Sequence, residues 1–110
     1  MTRSMEAMEY VRKIAEQDGD VLLGVYAEAY LLQAKKARDY QGGGVNRDAY
    51  FPFGLKSYVH MLVTKAMRLV SLANQETQPV HESIEDSGID LINYAAFMVE
   101  RQRRDNVPRS

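Results

Sequence analysis

The sequence predicts an all-α fold, a bundle-like domain of four helices. Residues 54–74 keep apolar side chains at alternating spacings of three and four for five turns, which is the pattern of a helix with one buried face. No segment alternates with period two, and 45% hydrophobic with 26% charged residues is an ordinary globular balance. We therefore expect further helices over residues 5–17, 21–38 and 80–101.

The first two predicted helices are separated by a short break. Residues 5–17 are amphipathic, and Asp18-Gly19 ends that pattern. Asp20 is then a suitable N-cap for the second helix. Residues 21–38 have a broad apolar face, which predicts packing on two sides and self-association.

The long irregular segment is predicted over residues 39–53, around the triple glycine 42–44. A loop of this length in a small domain is either mobile or functional. The glycines could contact phosphate or form a plain flexible loop. Aromatic residues flank them and could stack a base or, through Pro52 and Phe53, anchor the loop on the core. These aromatic residues are Tyr40, Tyr50, Phe51 and Phe53.

The last predicted helix carries a glycine on its apolar face. Gly88 predicts a close backbone approach by another helix, since a glycine inside a helix is otherwise unfavourable. We expect a single domain over residues 1–101 and a basic, flexible tail over residues 102–110. The alternative for the tail is a contact with nucleic acid or another partner.

Composition excludes several kinds of protein. The chain has no cysteine, so it has no disulfide and no thiolate site. A net charge of −1 argues against nucleic acid as the main partner. No apolar run is long enough to span a bilayer, and the N-terminus has no signal-peptide pattern. We therefore expect a cytoplasmic protein without a membrane partner.

Acidic and basic residues lie on the borders of two apolar faces. Glu82, Asp86 and Asp90 follow one another at intervals of four, and Lys65 and Arg68 are three apart on the preceding helix. These two borders would meet if the helices pack antiparallel. One interpretation is a structural salt-bridge network. The other is a ligand site in which carboxylates hold a divalent cation and the two basic residues hold phosphate.

Three strings together resemble a known family. KKARDY (35–40), FGLKSYVHMLVTKAMRLVSL (53–72) and ESIEDSGIDLINYA (82–95) are similar to the nucleotide modification associated domain family of phage and bacteria, over roughly residues 28–99. The resemblance places the chain in a bacterial or phage-infected cell. Lys35 competes with Lys36 for the first matched position. The matched positions are Lys36, Asp39, Tyr40, Lys65, Arg68, Glu82, Asp86, Asp90, Asn93 and Tyr94.

This family is in turn similar to the all-helical nucleoside triphosphate pyrophosphatases of the MazG type. That similarity implies a MazG-like architecture and assembly as a dimer or tetramer. It also implies that Glu82, Asp86 and Asp90 hold Mg²⁺ as catalytic residues, while the other matched positions bind substrate. The chain departs from the pattern because its facing helix carries Lys65 and Arg68 where those enzymes have glutamates. Only Glu28, on the second helix, could take the place of the missing glutamates.

The resulting hypothesis is a nucleotide-binding protein whose catalytic status stays open. It would be either a magnesium-dependent nucleoside triphosphate pyrophosphohydrolase or an accessory of nucleotide modification. The alternatives are a non-catalytic binder that sequesters a nucleotide or nucleotide signal, and a structural interaction module.

Overall fold

The computed structural model describes residues 1–44, 46–75 and 81–107, with the backbone alone for residues 40–42 and 81–83. Within these residues every regular element is helical, so the predicted all-α class is confirmed. The helices are α1 (Arg3–Asp18), α2 (Val21–Gly42), α3 (Leu55–Ala73) and α4 (His81–Asp105), with a 3-10 turn at Arg47–Tyr50. None of the helices in the described residues is both long and apolar enough to cross a membrane.

The chain divides into two compact units, Met1–Arg47 and Asp48–Ser110. In the first unit α1 packs against α2. The α1 helix ends at Gly19, whose φ of 67° is the left-handed conformation that glycine adopts readily. The next helix begins with the predicted cap: the backbone N–H of Leu23 donates to Asp20 Oδ1 at 3.1 Å. Small side chains such as Ala15 and Ala27 lie in the core of this unit.

The second unit is the pair of helices α3 and α4, which pack antiparallel. Tyr58, near the start of α3, lies against Phe97, near the end of α4. Lys65, half-way along α3, contacts Asp90 in the first half of α4. Tyr58 is fully buried, with 0% of its surface exposed, and forms the centre of the core here. The predicted antiparallel packing is therefore present.

Two helices extend further than the sequence pattern predicted. Helix α2 continues past residue 38 to Gly42, because no helix-breaking residue precedes the triple glycine. Helix α4 continues past residue 101 to Asp105, so residues 102–105 of the predicted tail are helical. Ion pairs one turn apart, Arg101–Asp105 and Glu100–Arg104, support this last turn. Residues 108–110 of the tail lie outside the described residues.

The close helix approach predicted at Gly88 is wrong. A Cβ atom added there would meet nothing within 4 Å among the described residues. The contacts between α3 and α4 include long side chains, such as Tyr58 and Phe97. The chain forms two compact units. The single domain predicted over residues 1–101 stays a prediction.

Candidate functional site

The predicted acidic and basic borders meet at one ion pair. Lys65 Nζ on α3 lies 2.9 Å from Asp90 Oδ2 on α4. The side chains retain 22% and 26% of their exposure, so the pair is shielded but reachable by solvent. This contact exists because each residue lies at the edge of its helix's apolar face and the helices run antiparallel.

A polar strip continues from this pair in one direction. Arg68 lies one turn further along α3 and Asp86 one turn earlier along α4. In an antiparallel pair these two displacements point the same way. Both side chains are exposed, and neither forms an ion pair with another side chain that the structure describes. We call Lys65, Arg68, Asp86 and Asp90 the polar strip. It offers two cations and two carboxylates on the surface of one helix pair.

Asn93 and Tyr94, the next predicted binding residues on α4, lie deeper than the polar strip. Asn93 is buried, with 9% of its surface exposed. The Tyr94 ring meets Phe51 edge-on at 5.9 Å and Phe97 at 6.1 Å between ring centres. Tyr94 thus belongs to the aromatic core that fixes α4 one turn beyond Asp90. Their predicted contact with a ligand stays a prediction.

The remaining predicted residues belong to the first unit or have side chains that the structure does not describe. Lys36 and Asp39 are exposed on α2, in the first unit, as is Glu28. Tyr40 and Glu82 lie on helical backbone, and their side chains are outside the described residues.

The carboxylates of the strip suit Mg²⁺ as part of a larger donor set. Among the side chains that are described, no three histidine, cysteine or acidic residues lie close enough to hold a metal ion. Magnesium is, however, commonly held in proteins by one or two carboxylates together with substrate phosphates and water. Asp86 and Asp90 fit that smaller requirement.

A second polar cluster was missed by the sequence reasoning. Asp48, just before α3, accepts two hydrogen bonds from the Arg104 guanidinium, at 3.1 and 3.2 Å. Arg101 Nη1 lies 3.6 Å from the same carboxylate, and the Tyr58 hydroxyl donates to it at 3.3 Å. We call these four residues the Asp48 cluster. It joins the segment before α3 to the last turns of α4.

The electrostatics of the Asp48 cluster favour both charged forms. Hydrogen bonding from Arg104 lowers the pKa of Asp48 below its ordinary value, against the opposing effect of burial. The same hydrogen bond to Asp48 raises the pKa of Arg104. The sequence carried one local signal for this cluster, the i,i+4 pairs around Arg101, which indicate that the helix continues. The contact itself spans 56 residues and has no local signature.

Phe51 anchors the segment before α3 on the core. Its ring stacks on Tyr58 with 4.2 Å between ring centres, and only 8% of its surface is exposed. Phe53, which was predicted as an alternative anchor, is 78% exposed, so that alternative is wrong. Phe51 is therefore the ring that anchors this segment, whereas Phe53, two residues later, faces solvent.

The helix pair with its polar strip therefore defines an all-α protein with a basic and acidic surface on two adjacent helices. The chain belongs to the family of the nucleotide modification associated domain 1, which matches residues 36–99. That match contains the whole polar strip. No curated protein and no solved structure shows a significant match. The expected likeness to MazG-type pyrophosphatases thus has no support from known proteins.

Proposed function

We propose that the polar strip binds a nucleotide through its phosphate groups. The observation that supports this most is the Lys65–Asp90 ion pair, which lies within the family match and remains partly accessible. Beside it, Arg68 has no ion-pair partner among the described side chains and is exposed to solvent. Arginine and lysine are the residues that most often hold phosphate oxygens.

The ion pair has to open for Lys65 to reach a phosphate. Partly exposed ion pairs contribute only about 0–1 kcal/mol, so exchange of one partner is energetically small. A phosphate oxygen would replace the Asp90 carboxylate at the Lys65 ammonium. The released carboxylate then needs a cation of its own, because it would otherwise repel the incoming phosphate.

Mg²⁺ is the cation that suits this exchange. Asp86 and Asp90, with Glu82 one turn earlier in sequence, are the residues that would hold it. When bound, the ion supplies neutralisation of phosphate charge and a fixed orientation of the phosphates. The chain's own contribution is that Lys65 and Arg68 hold the phosphate oxygens.

The catalytic form of the proposal is a pyrophosphohydrolase. Glu82, Asp86 and Asp90 would then be the catalytic residues, and Lys65 and Arg68 would stabilise charge on the leaving group. The non-catalytic form is an accessory of nucleotide modification or a protein that sequesters a nucleotide. Lys65 and Arg68 would hold phosphate oxygens in either form. Whether the protein hydrolyses the bound nucleotide therefore distinguishes the two forms.

A second candidate is a purely structural role. The direct 2.9 Å contact between Lys65 and Asp90 favours it, because the two charges already satisfy each other. In that case the ion pair holds α3 against α4 and no nucleotide binds.

Thermal unfolding with a panel of ribo- and deoxyribonucleoside triphosphates separates these roles. Stabilisation that needs magnesium, with release of pyrophosphate, supports the enzyme. Stabilisation without turnover supports the binder. No shift with any nucleotide, with or without a chelator, contradicts nucleotide binding and leaves the structural role.

Matched variants locate the site. Arg68→Ala should weaken nucleotide binding about tenfold or more, whereas Lys56→Ala, which removes an exposed cation from the start of the same helix, should not. Asp86→Asn should reduce the magnesium effect, whereas Glu85→Gln, at the neighbouring exposed acid, should not. Equal effects of a variant and its control would show that general charge, and not the strip, governs binding.

A further inference from the structure

The apolar face of α3 is wider than the part that α4 covers. The sequence pattern predicted one continuous face, but the structure divides it into two neighbouring stripes. The covered stripe runs along the side of α3 that carries Tyr58 and Lys65, whose contacts with α4 are Phe97 and Asp90. Its members are Tyr58, Leu62, Lys65, Leu69 and Leu72, which are all buried or half-buried.

The second stripe is exposed along the whole helix. Val59, Val63 and Val70 are 44%, 55% and 49% exposed, and Met67 at its border is 60% exposed. We call this surface the open stripe. Its members are Leu55, Val59, Val63, Ala66, Met67, Val70 and Ala73, each of which is exposed. Apolar patches that extend over a helix face in this way commonly mark an interaction surface.

We propose that the open stripe is the contact between two copies of this chain, packed antiparallel about a twofold axis near the middle of α3. The proposal goes beyond nucleotide binding and does not rest on it. It also differs from the prediction made from the sequence, which assigned self-association to the broad apolar face of the second helix.

The spacing of the open stripe is self-complementary. An axis between positions 64 and 65 places Val59 opposite Val70 of the partner subunit and Val63 opposite Ala66 of the partner subunit. Leu55, the largest side chain at one end, then lies opposite Asn74 of the partner subunit, directly after the small Ala73 of the partner subunit. A twofold contact requires that one surface complements itself in this way.

Charge also favours a second copy over a charged partner. The charged residues of α3 are Lys56, Lys65 and Arg68, and none of them lies within the open stripe. Lys56 lies beside its N-terminal end. In the antiparallel arrangement Lys56 would approach the C-terminal end of the other α3, where the helix dipole favours a cation.

The area is sufficient for the apolar part of a stable contact. A standard interface buries about 800 Å² on each partner, of which a little over half is apolar. The side chains of the open stripe, each of them exposed, present on the order of 500 Å² of mostly apolar surface. A helix of this length, about 28 Å, is also long enough to present them in one continuous row.

The test measures the mass of the full chain in solution by light scattering after gel filtration. The wild type is expected at twice the 12.5 kDa chain mass. Val63→Glu and Val63→Lys should each be monomeric with unchanged helicity, because like charges meet near the axis. An equal mixture of the two variants should restore the dimer, since opposite charges now meet. Val107→Glu, at a 62% exposed valine outside α3, should remain dimeric.

Several results would overturn the proposal. A monomeric wild type at micromolar concentration does so, and it leaves nucleotide binding untouched. Val63→Glu that stays dimeric would place the contact elsewhere. Loss of helicity in Val63→Glu and also in Met67→Glu, at the 60% exposed methionine of the stripe, would show that the chain itself covers this surface.

Discussion

The second unit contains two ion-pair clusters that differ in how completely their charges are satisfied. In the Asp48 cluster, the Arg104 guanidinium donates two hydrogen bonds to Asp48 in a bidentate contact, and Arg101 contacts both Asp48 and Asp105. In the polar strip, Lys65 and Asp90 share one contact, while Arg68 and Asp86 beside them are exposed. The two clusters lie on the same helix pair, so fold alone does not explain the difference.

The comparison indicates a division of roles. A saturated cluster that joins elements distant in sequence stabilises the fold, because any ligand would have to break several contacts at once. A single partly accessible pair with exposed charges next to it can exchange partners at little free energy. The comparison supports the proposal that the polar strip binds a ligand, and we propose a structural role for the Asp48 cluster.

Removing the side chain that links the Asp48 cluster to the core should have the largest effect. Tyr58→Ala takes away a fully buried ring that stacks on Phe51 and donates to Asp48. The expected loss is about 3–5 kcal/mol in the free energy of unfolding, measured by urea denaturation. Tyr10→Ala, at a tyrosine that is 67% exposed on α1, should change it by less than about 0.5 kcal/mol. Similar losses would show that the ring at position 58 has no special place in the core.

Breaking the Asp48 cluster directly should have the next largest effect. Asp48→Ala leaves Arg101, Arg104 and the Tyr58 hydroxyl without their shared acceptor. We expect a loss of about 1–2 kcal/mol in the free energy of unfolding and no change in nucleotide affinity. Asp105→Ala, which removes a more exposed partner of Arg101, should lower stability by less than about 0.5 kcal/mol. A loss of nucleotide affinity in Asp48→Ala alone would reverse the assigned roles.

Removing the Lys65 cation of the polar strip should weaken nucleotide binding and leave the stability of the fold nearly unchanged. Lys65→Met keeps the length of the apolar part of the side chain and removes its charge. The free energy of unfolding should change by less than about 1 kcal/mol, because the ion pair is partly exposed. Nucleotide affinity should fall about tenfold or more in a fluorescence titration. A stability loss as large as that of Asp48→Ala, with affinity intact, would make Lys65 a structural residue.

The smallest expected effect is a change in the free energy of unfolding at acidic pH. Hydrogen bonding lowers the pKa of Asp48 from its ordinary 3.8, so the folded state favours the charged carboxylate. Its contribution is complete above that ordinary value and disappears as the pH falls through the lower folded value. Because the side chain is 37% exposed, the contribution should stay below about 1 kcal/mol. Asp48→Asn should lack it, so the stability difference between the two proteins should shrink in acid. A difference that stays constant would contradict this.

Sequence periodicity predicted the helices and the meeting of the acidic border with the basic border, because both depend on which helix face is apolar. That the contact is made by Lys65 and Asp90 came from the structure. The Asp20 cap was predictable from one local residue and its neighbour. The Asp48 cluster was not, since Asp48 lies in a glycine-rich segment and Arg104 looked like part of a solvated tail. Its formation depends on the antiparallel packing that brings the ends of α3 and α4 together. The sequence pattern also did not show which half of the apolar face of α3 would be covered by α4, because that depends on how the two helices pack.

Calorimetric titration of wild type and Asp90→Asn with a nucleoside triphosphate, in magnesium and in chelator, tests the assignment of the polar strip most directly. For the wild type we expect binding about tenfold tighter in magnesium. In Asp90→Asn the Lys65 ammonium no longer has a carboxylate partner, so binding in chelator should strengthen and the magnesium effect should disappear. Absence of nucleotide binding by either protein under both conditions would contradict the assignment and leave the Lys65–Asp90 pair as a purely structural contact.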